Sequence, residues 1–374
     1  MKRMADLKKR IESIMKDGEG KANFPLGAFL SAFSILYSGV VQLRSVLYSK
    51  RIIPSKRLPC MVISIGNVTL GGTGKTPMTI YTAQLIRRLG YQVVVISRGY
   101  KGNAEKTGGI VSNGSQILMT ADDAGDEPFM MAQKIDKIPV LVGQDRFKSG
   151  MLAIQEFDPQ VVILDDGFQH LKLSRDMDLV LLDYRHPFGN NHLFPRGILR
   201  EPISALLRGD AFILTRSEAP ATTAFNDHIP LTRSRPVFRS FHVYHVYKVM
   251  KGKTIKFNQG MLKGCKVYAF AGIARNDDFQ RTLEAFECEI KGFLDFPDHH
   301  RYSNSDIDRI LRSAQAAQAD VLITTEKDHA RMKNTVKWPI DFMVVGIEVC
   351  FGNQADAFFD LIKNRIEKFI ASGS

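Results

Sequence analysis

Cysteine chemistry is the first thing this sequence does without. Its four cysteines, Cys60, Cys265, Cys288 and Cys350, form no CxxC pair or comparable ligand spacing. Neither a zinc site nor a redox couple is indicated, and they read as small core or surface residues of a reducing compartment. A signal peptide is also missing: residues 1–23 are polar and basic, with Lys2, Arg3, Lys8, Lys9 and Arg10, and no apolar run leads into a small-residue cleavage site. There is no internal repeat and no long low-complexity tract. Paired zinc ligands and an aromatic RNA-reading stretch are absent too, so nucleic acid is not an expected partner.

What remains is an ordinary globular composition, 44% hydrophobic and 24% charged, in a chain of 374 residues. That length is long for one domain and comfortable for two. Lysine and arginine number 51 against 39 acidic residues, a net charge of +12. Such an excess either serves solubility or favours an anionic partner, an acidic lipid or a phosphorylated substrate.

No charge occurs from Phe24 to Val41, and Arg44, Lys50, Arg51, Lys56 and Arg57 follow. Leu26, Phe29, Leu30, Phe33, Leu36, Val40, Leu43 and Leu47 recur at helical spacing, with Gly27, Ser31, Ser34, Ser38, Gln42, Ser45 and Ser49 opposite. Diluted by serine and glycine, the stretch is a poor transmembrane span. It reads either as an interfacial helix with basic flanks on anionic headgroups or as a helix docked on the protein's own core.

The next segment has βαβ character: strand Met61–Ile65, a Gly-rich loop Asn67–Gly74, helix Pro77–Leu89 and strand Val93–Ser97. Further strands are expected at Val140–Val142, Val161–Leu164, Leu179–Leu182 and Phe212–Thr215, with helices near Pro128–Lys134 and Phe147–Phe157. Alternation of this kind predicts an α/β fold with a doubly wound, mostly parallel sheet. After about residue 225 the texture changes. Pro236–Met250 alternates like a ribbon, and strands near Lys266–Gly272, Val321–Thr324 and Phe342–Ile347 interleave with helices near Asp277–Phe286, Asp306–Ala317 and Asp356–Ile370. The expected division is a basic extension and amphipathic helix (1–50), a P-loop core (51–225), a ribbon-like linker (226–258) and a second, smaller α/β domain (259–374).

Gly71-Gly72-Thr73-Gly74-Lys75-Thr76 sits between a strand and a helix. Glycines there let backbone N–H groups curl around phosphate oxygens at a helix N-terminus. Lys75 would reach the β- and γ-phosphates of ATP, and the Thr76 hydroxyl would ligate Mg²⁺. The motif departs from the consensus at Thr69, where a glycine is usual. Leu70 stands where partitioning ATPases with a deviant loop carry a second lysine. Val161-Val162-Ile163-Leu164-Asp165-Asp166 has the form of a Walker B strand, and Gly167-Phe168-Gln169-His170 follows, His170 being a site group or a structural hydrogen-bonding one. In Gly125-Asp126-Glu127-Pro128 the acidic residues are either helix caps or functional groups. Thr325-Glu326-Lys327-Asp328 is superficially close to a guanine-reading motif, which makes GTP hydrolysis the alternative.

The blocks from Ile65 to Pro77, Ser97-Arg98-Gly99-Tyr100, Gly125-Asp126-Glu127-Pro128, Asp165 to His170, Leu199-Arg200-Glu201-Pro202, Phe296-Pro297-Asp298-His299-His300 and Thr325 to Asp328 run in one order over about residues 60–330. In this the chain resembles the lipid A 4'-kinase (tetraacyldisaccharide 4'-kinase) family. The resemblance implies ATP- and Mg²⁺-dependent phosphorylation of the 4'-hydroxyl of a tetraacylated glucosamine disaccharide 1-phosphate, the step of lipid A biosynthesis that forms lipid IVA. It also implies a peripheral or monotopic enzyme on the cytoplasmic face of the bacterial inner membrane, meeting an anionic membrane surface, with no obligate protein partner. By the same resemblance Asp126 and His299 form a dyad that activates the hydroxyl. Asp165 and Asp166 organise the metal and the site, Arg200 stabilises transferred charge, and Glu201 stands near the metal.

Overall fold

A computed structural model describes residues 14–15, 24–217, 234–250, 253–273, 276–332 and 338–373. Most of the basic extension before Phe24 and residues 226–233 of the expected linker lie outside the described residues.

The first sheet comprises β1 (Met61–Asn67), β2 (Val93–Ser97), β3 (Gly109–Ser112), β4 (Val140–Val142), β5 (Val161–Asp165), β6 (Met177–Asp183), β7 (Ala211–Thr215) and β8 (Val237–Arg239). Its eight strands run in the order β3-β4-β2-β5-β1-β6-β7-β8, parallel except for β3 against β4. The central strands are buried along their whole length, as parallel strands covered by helices on both faces must be. One face packs Ile63, Ile65, Val95 and Ile163 against Met78, Ala83 and Ile86 of the helix Lys75–Arg88. The other packs Val62, Val94 and Leu164 against Ala153 of the helix Arg146–Phe157. Because β1 and β5 are neighbours, the loop after Asn67 and the carboxylates after Leu164 emerge side by side at the carboxyl edge, where ligands of such sheets bind.

The second sheet is β9 (Phe241–Met250), β10 (Lys253–Phe257), β11 (Lys266–Ala271), β12 (Glu289–Asp295), β13 (Val321–Thr325) and β14 (Asp341–Cys350), ordered β10-β9-β14-β13-β11-β12. Strands β11 to β14 are parallel and β9 runs against β14 and β10. Helix Asn276–Ala285 covers one face through Phe279 and Leu283. Helix Asn304–Ala316 covers the other through Ile307, Ile310 and Ala314.

Two placements differ from the sequence expectation. The described part of the expected ribbon-like linker (226–258) is shared between the sheets: β8 ends the first sheet, and after Ser240 alone β9 begins in the second. Ser240 is fully buried, its N–H donating to the Leu214 carbonyl and its own carbonyl accepting from Ser217. The C-terminal helix Ala355–Ala371 also leaves the second unit. Its buried stripe Phe358, Ile362 and Ile366 joins the core of the first sheet beside Phe238 and Phe351. The chain therefore passes between the units twice.

The N-terminal helix runs Phe24–Ser49, and Leu26–Ser49 is long and apolar enough to cross a membrane. Its apolar stripe points away from the protein: Phe29, Phe33, Leu36, Val40 and Leu43 are 49–68% exposed, and Leu30 alone among them is buried. The polar side docks instead. Ser34 Oγ donates to the Leu193 carbonyl (2.8 Å), Tyr37 Oη to the Arg200 carbonyl (2.9 Å) and Arg44 to the Gln169 carbonyl (2.9 Å). Docking of the apolar stripe on the protein's own core is thus not what the structure shows.

Candidate active site

The loop after β1 is drawn together by its own side chains. Asn67 Nδ2 donates to Thr73 Oγ1 (2.8 Å), and Lys75 Nζ lies 3.5 Å from Asn67 Oδ1. Neighbouring segments pin its flanks. The Leu70 N–H donates to the Ile198 carbonyl (2.6 Å), and Arg216 bridges the Gly72 carbonyl and Asp183. The helix Lys75–Arg88 starts on Gly74 without a side-chain cap, so its first N–H groups face the loop.

Asp165 and Asp166 are adjacent in sequence and opposite in environment. Asp165 is 2% exposed and accepts from Thr79 Oγ1 and Ser97 Oγ, each at 3.1 Å. Burial, then the nearby carboxylates Glu127 and Asp166, push its carboxyl up to about 6. Burial also raises Asp166, but Lys75 and Arg200 outweigh it and hold the carboxyl below the usual range. Lys75 Nζ is 3.7 Å from its Oδ1, and one Arg200 nitrogen spans both oxygens at 3.1 and 2.9 Å. Glu201 faces elsewhere. Its Oε2 accepts from Gln169 (3.1 Å) and Arg208 (2.7 Å), while Gln169 also donates to the Asn67 carbonyl. His170 is held neutral, its pKa lowered to about 4 by burial and then by Arg146.

The third part of the site comes from the second unit. Gly125 has φ +86° and lies where a Cβ would stand 2.9 Å from the Tyr100 carbonyl, so only glycine opens the helix Asp126–Lys134 there. His299 Nδ1 is 3.0 Å from Asp126 Oδ2 across 173 residues of sequence. Burial pushes the Asp126 carboxyl up, but the His299 hydrogen bond and the Arg331 charge outweigh it and leave it ionised at neutral pH. His300 turns away, with Nε2 3.1 Å from Asp306 and its ring stacked on Phe296.

Thr325-Glu326-Lys327-Asp328 meets the same helix, its groups already engaged. Lys327 pairs with Glu127 (2.6 Å), Glu326 with Lys134 (2.6 Å), and Thr325 caps the short helix Glu326–Ala330 by accepting from Asp328. Asp328 is fully buried and accepts from Tyr302 (2.9 Å) and the Gly272 N–H (3.0 Å). Nothing is left over to read a guanine, and the block instead brings the second unit against Asp126. Glu127 feels both Lys327 and, more weakly, Lys75 and Asp166, so the start of the helix Asp126–Lys134 lies within electrostatic reach of the Gly-rich loop. Sequence reasoning missed Arg331, Arg216 and Tyr37. Each is an isolated polar residue whose partner is distant in the chain, and no spacing marks it.

The donor set fits ATP and Mg²⁺. Gly71, at φ +102°, has nothing within 4 Å of where a Cβ would stand, so glycine is favoured there by the backbone conformation and not by lack of space. Among the described residues no cluster of three or more His, Cys, Asp or Glu side chains is arranged to hold a metal. Mg²⁺ in kinases needs only one or two protein oxygens beside phosphate and water; Thr76, in the first turn of the helix after the loop, and Asp166, beside Lys75, could supply them.

The chain is similar over most of its length to known proteins. The sequence matches the family described as tetraacyldisaccharide-1-P 4'-kinase over residues 26–367. The tetraacyldisaccharide 4'-kinase of Desulfatibacillum aliphaticivorans is 41% identical over 371 residues, 97% of this chain and 99% of that protein. That of Syntrophus aciditrophicus (strain SB) is 42% identical over 355 residues, 92% and 95% of the two chains. The crystal structure of LpxK from Aquifex aeolicus in complex with ATP superposes with a TM-score of 0.75 at 31% identity, covering 91% of this chain and 99% of that one. On sequence and fold together, the chain belongs to the tetraacyldisaccharide-1-phosphate 4'-kinase family.

Proposed function

We propose that Asp126, His299, Lys75, Asp166 and Arg200 carry the family's reaction in this chain. That activity is ATP-dependent transfer of the γ-phosphate to the 4'-hydroxyl of a tetraacylated glucosamine disaccharide 1-phosphate. The sugar hydroxyl attacks phosphorus while its proton passes to Asp126. The new O–P bond forms as the bond to departing ADP breaks. His299, donating from Nδ1, orients the carboxylate. Lys75 meets the β- and γ-phosphates from the loop Gly71-Gly72-Thr73-Gly74, and Arg200 offsets charge on the transferred group. Mg²⁺, when bound, neutralises phosphate oxygens; Thr76 and Asp166 would hold it. Asp165 secures the floor through Thr79 and Ser97, and Glu201 steadies that edge through Gln169.

The observation that carries this reading is the contact of Asp126 with His299, on a helix whose Glu127 lies within electrostatic reach of Lys75. The helix Phe24–Ser49 supports the rest of it. Its outward apolar face, with Lys50 and Arg51 just past its end, suits the anionic cytoplasmic face of the inner membrane, where a tetraacylated substrate resides. Neither nucleic acid nor an obligate protein partner enters this reading. The test incubates the purified chain with labelled ATP or GTP, Mg²⁺ and the lipid disaccharide. Label appearing at the 4' position from ATP is expected. Label that follows GTP alone, or never reaches lipid, overturns the reading.

A further inference from the structure

The dyad leaves one group unused. Arg331 ends the short helix Glu326–Ala330, and its side chain is 2% exposed. Its Nε donates to Asp126 Oδ2 at 2.8 Å, the same oxygen that His299 Nδ1 approaches at 3.0 Å. One terminal nitrogen donates to the Gly272 carbonyl (2.8 Å) and to Asp328 Oδ1 (3.2 Å), and the other lies 3.4 Å from His299 Nδ1. The Gly272 carbonyl also accepts the backbone N–H of His299 (3.2 Å), a residue held at φ +64°.

We infer that Arg331 is a positioning residue for phosphoryl transfer: its guanidinium locks Asp126 and His299 into one geometry across the two units and occupies Asp126 Oδ2, so that Oδ1 is presented to the sugar hydroxyl. The inference rests on the dyad reading above and deepens it. A guanidinium is planar, and a fork of fixed angles sets the positions of its partners relative to one another. Here one fork touches the carboxylate and the carbonyl that holds the His299 backbone. Behind it, Asp328 is fully buried and fixed by Thr325, Tyr302 and Gly272. Of its hydrogen-bonding neighbours among the described residues, Gly272, Asp328 and His299 belong to the second unit and Asp126 to the first, which makes Arg331 a braced arm reaching across.

Docking alone does not need this contact. Lys327–Glu127, Glu326–Lys134 and Arg301–Asp122 already tie the two units together along the same edge. Arg331 differs from them in being buried and in ending on the proton-accepting carboxylate. Its charge works against basicity, since a cation beside a carboxylate stabilises the ionised form. The arrangement gives up some proton affinity for alignment. Removing the charge should therefore move the acid limb of the rate profile upward, and removing only the fork should not. The groups facing Asp126 are His299 and Arg331. Beyond them stand Asp328, Asp298 at 3.9 Å from His299 Nε2, the Glu127–Lys327 and Asp122–Arg301 pairs, and the Tyr100 ring against His299.

The experiment measures lipid phosphorylation by the full chain in detergent against pH for wild type, Arg331→Gln, Arg331→Lys and Asp126→Asn. Arg331→Gln is expected to lower kcat about 10–100-fold, a loss of alignment. It should leave the KM for ATP within about twofold and shift the acid limb up by about one pH unit. Arg331→Lys is expected to lose kcat with the limb unmoved. Wild-type kcat in folded Arg331→Gln, or an unmoved limb with kcat and KM both degraded, overturns the inference. If Arg331→Gln does not fold, Arg331→Lys decides, and wild-type kcat there overturns it. An active Asp126→Asn removes the dyad reading itself. An inactive Asp126→Asn beside a normal Arg331→Gln removes only the role of Arg331.

Discussion

The Gly-rich edge of the first sheet and the rim of the second unit contribute to one site by different means. At the loop, Asn67, Thr73 and Lys75 lie within a few residues of one another, and Asp165 and Asp166 arrive on the neighbouring strand. That cradle is built on the first sheet, and His242 of β9 stands against its Gly74 from the second. At the rim, His299 and Arg331 reach Asp126 from 173 and 205 residues away, and the contact exists only while the two units are together. On the proposed roles, nucleotide binding should rest mainly on the first sheet, whereas proton transfer should need the contact between the two units.

The largest expected effect comes from breaking the rim. Asp126→Ala and His299→Ala should each lower kcat by about 10²–10⁴-fold, the range for a positioned general base, with little change in ATP affinity. Because the two act as a unit, the double variant should be scarcely worse than either single one. His300→Ala should be milder, since that imidazole serves Asp306 and Phe296 instead. A double-mutant cycle on lipid phosphorylation checks this, and additive losses would mean that the pair does not work together. Next in size is the loop. Lys75→Ala should cost about 10²–10³-fold and, unlike the rim variants, should also weaken ATP binding by isothermal titration. Near-normal turnover in folded Lys75→Ala would remove the phosphate-binding role of the loop.

The same contrast explains what could be read in advance. Parallel strands buried on both faces are written as apolar runs, so β1, β2, β4, β5, β6 and β7 were legible from composition alone, and the Gly-rich loop with them. Strand β3 was not: Gly109–Ser112 is a short antiparallel edge beginning on glycine and only half buried. The periodicity of Ala355–Ala371 showed a helix but could not say which sheet it would cover. Phe358 and Ile362 carry no address, and the choice of the first core depends on where β14 ends. The pairing of Asp126 with His299 was reachable only through family resemblance, because Asp126 has the local form of a cap. Arg331 had no signal at all, as a charge on a helix end usually serves the helix dipole.

The N-terminal helix supplies a third, smaller effect. Phe29, Phe33 and Leu36 replaced together by serine should reduce partitioning onto anionic vesicles on the order of 10²-fold, taking about 1 kcal/mol for each partly immersed side chain. Leu30 is unsuited to this test because it is 6% exposed and belongs to the protein interior. Vesicle sedimentation that matches wild type would assign the outward stripe to something other than lipid.

The smallest effect asks whether that helix is only an anchor. Tyr37 lies on the docked side, its ring edge-on to Phe194 and its hydroxyl donating to the Arg200 carbonyl at 2.9 Å. The Arg200 N–H donates to the Val68 carbonyl at 2.8 Å, so the peptide that carries Arg200 is held from the loop on one side and from the helix on the other. Arg200 in turn spans both oxygens of Asp166. Burial, and then Glu201, raise the Tyr37 phenol, which keeps it a protonated donor throughout the working pH range. Tyr37→Phe removes one hydrogen bond with a net worth of about 0.5–1.5 kcal/mol. If that bond aligns Arg200, kcat should fall roughly 2–10-fold, the same energy expressed as a rate, while ATP affinity and vesicle binding stay unchanged. The phenylalanine and leucine replacements would show the opposite pattern, losing vesicle binding first. An unchanged kcat in Tyr37→Phe would make the helix a passive anchor, and a loss of vesicle binding as large as theirs would place Tyr37 on the lipid face. The expected split would mean that the helix meeting the membrane with one face holds, with the other, the arginine proposed to act at the transferred phosphate.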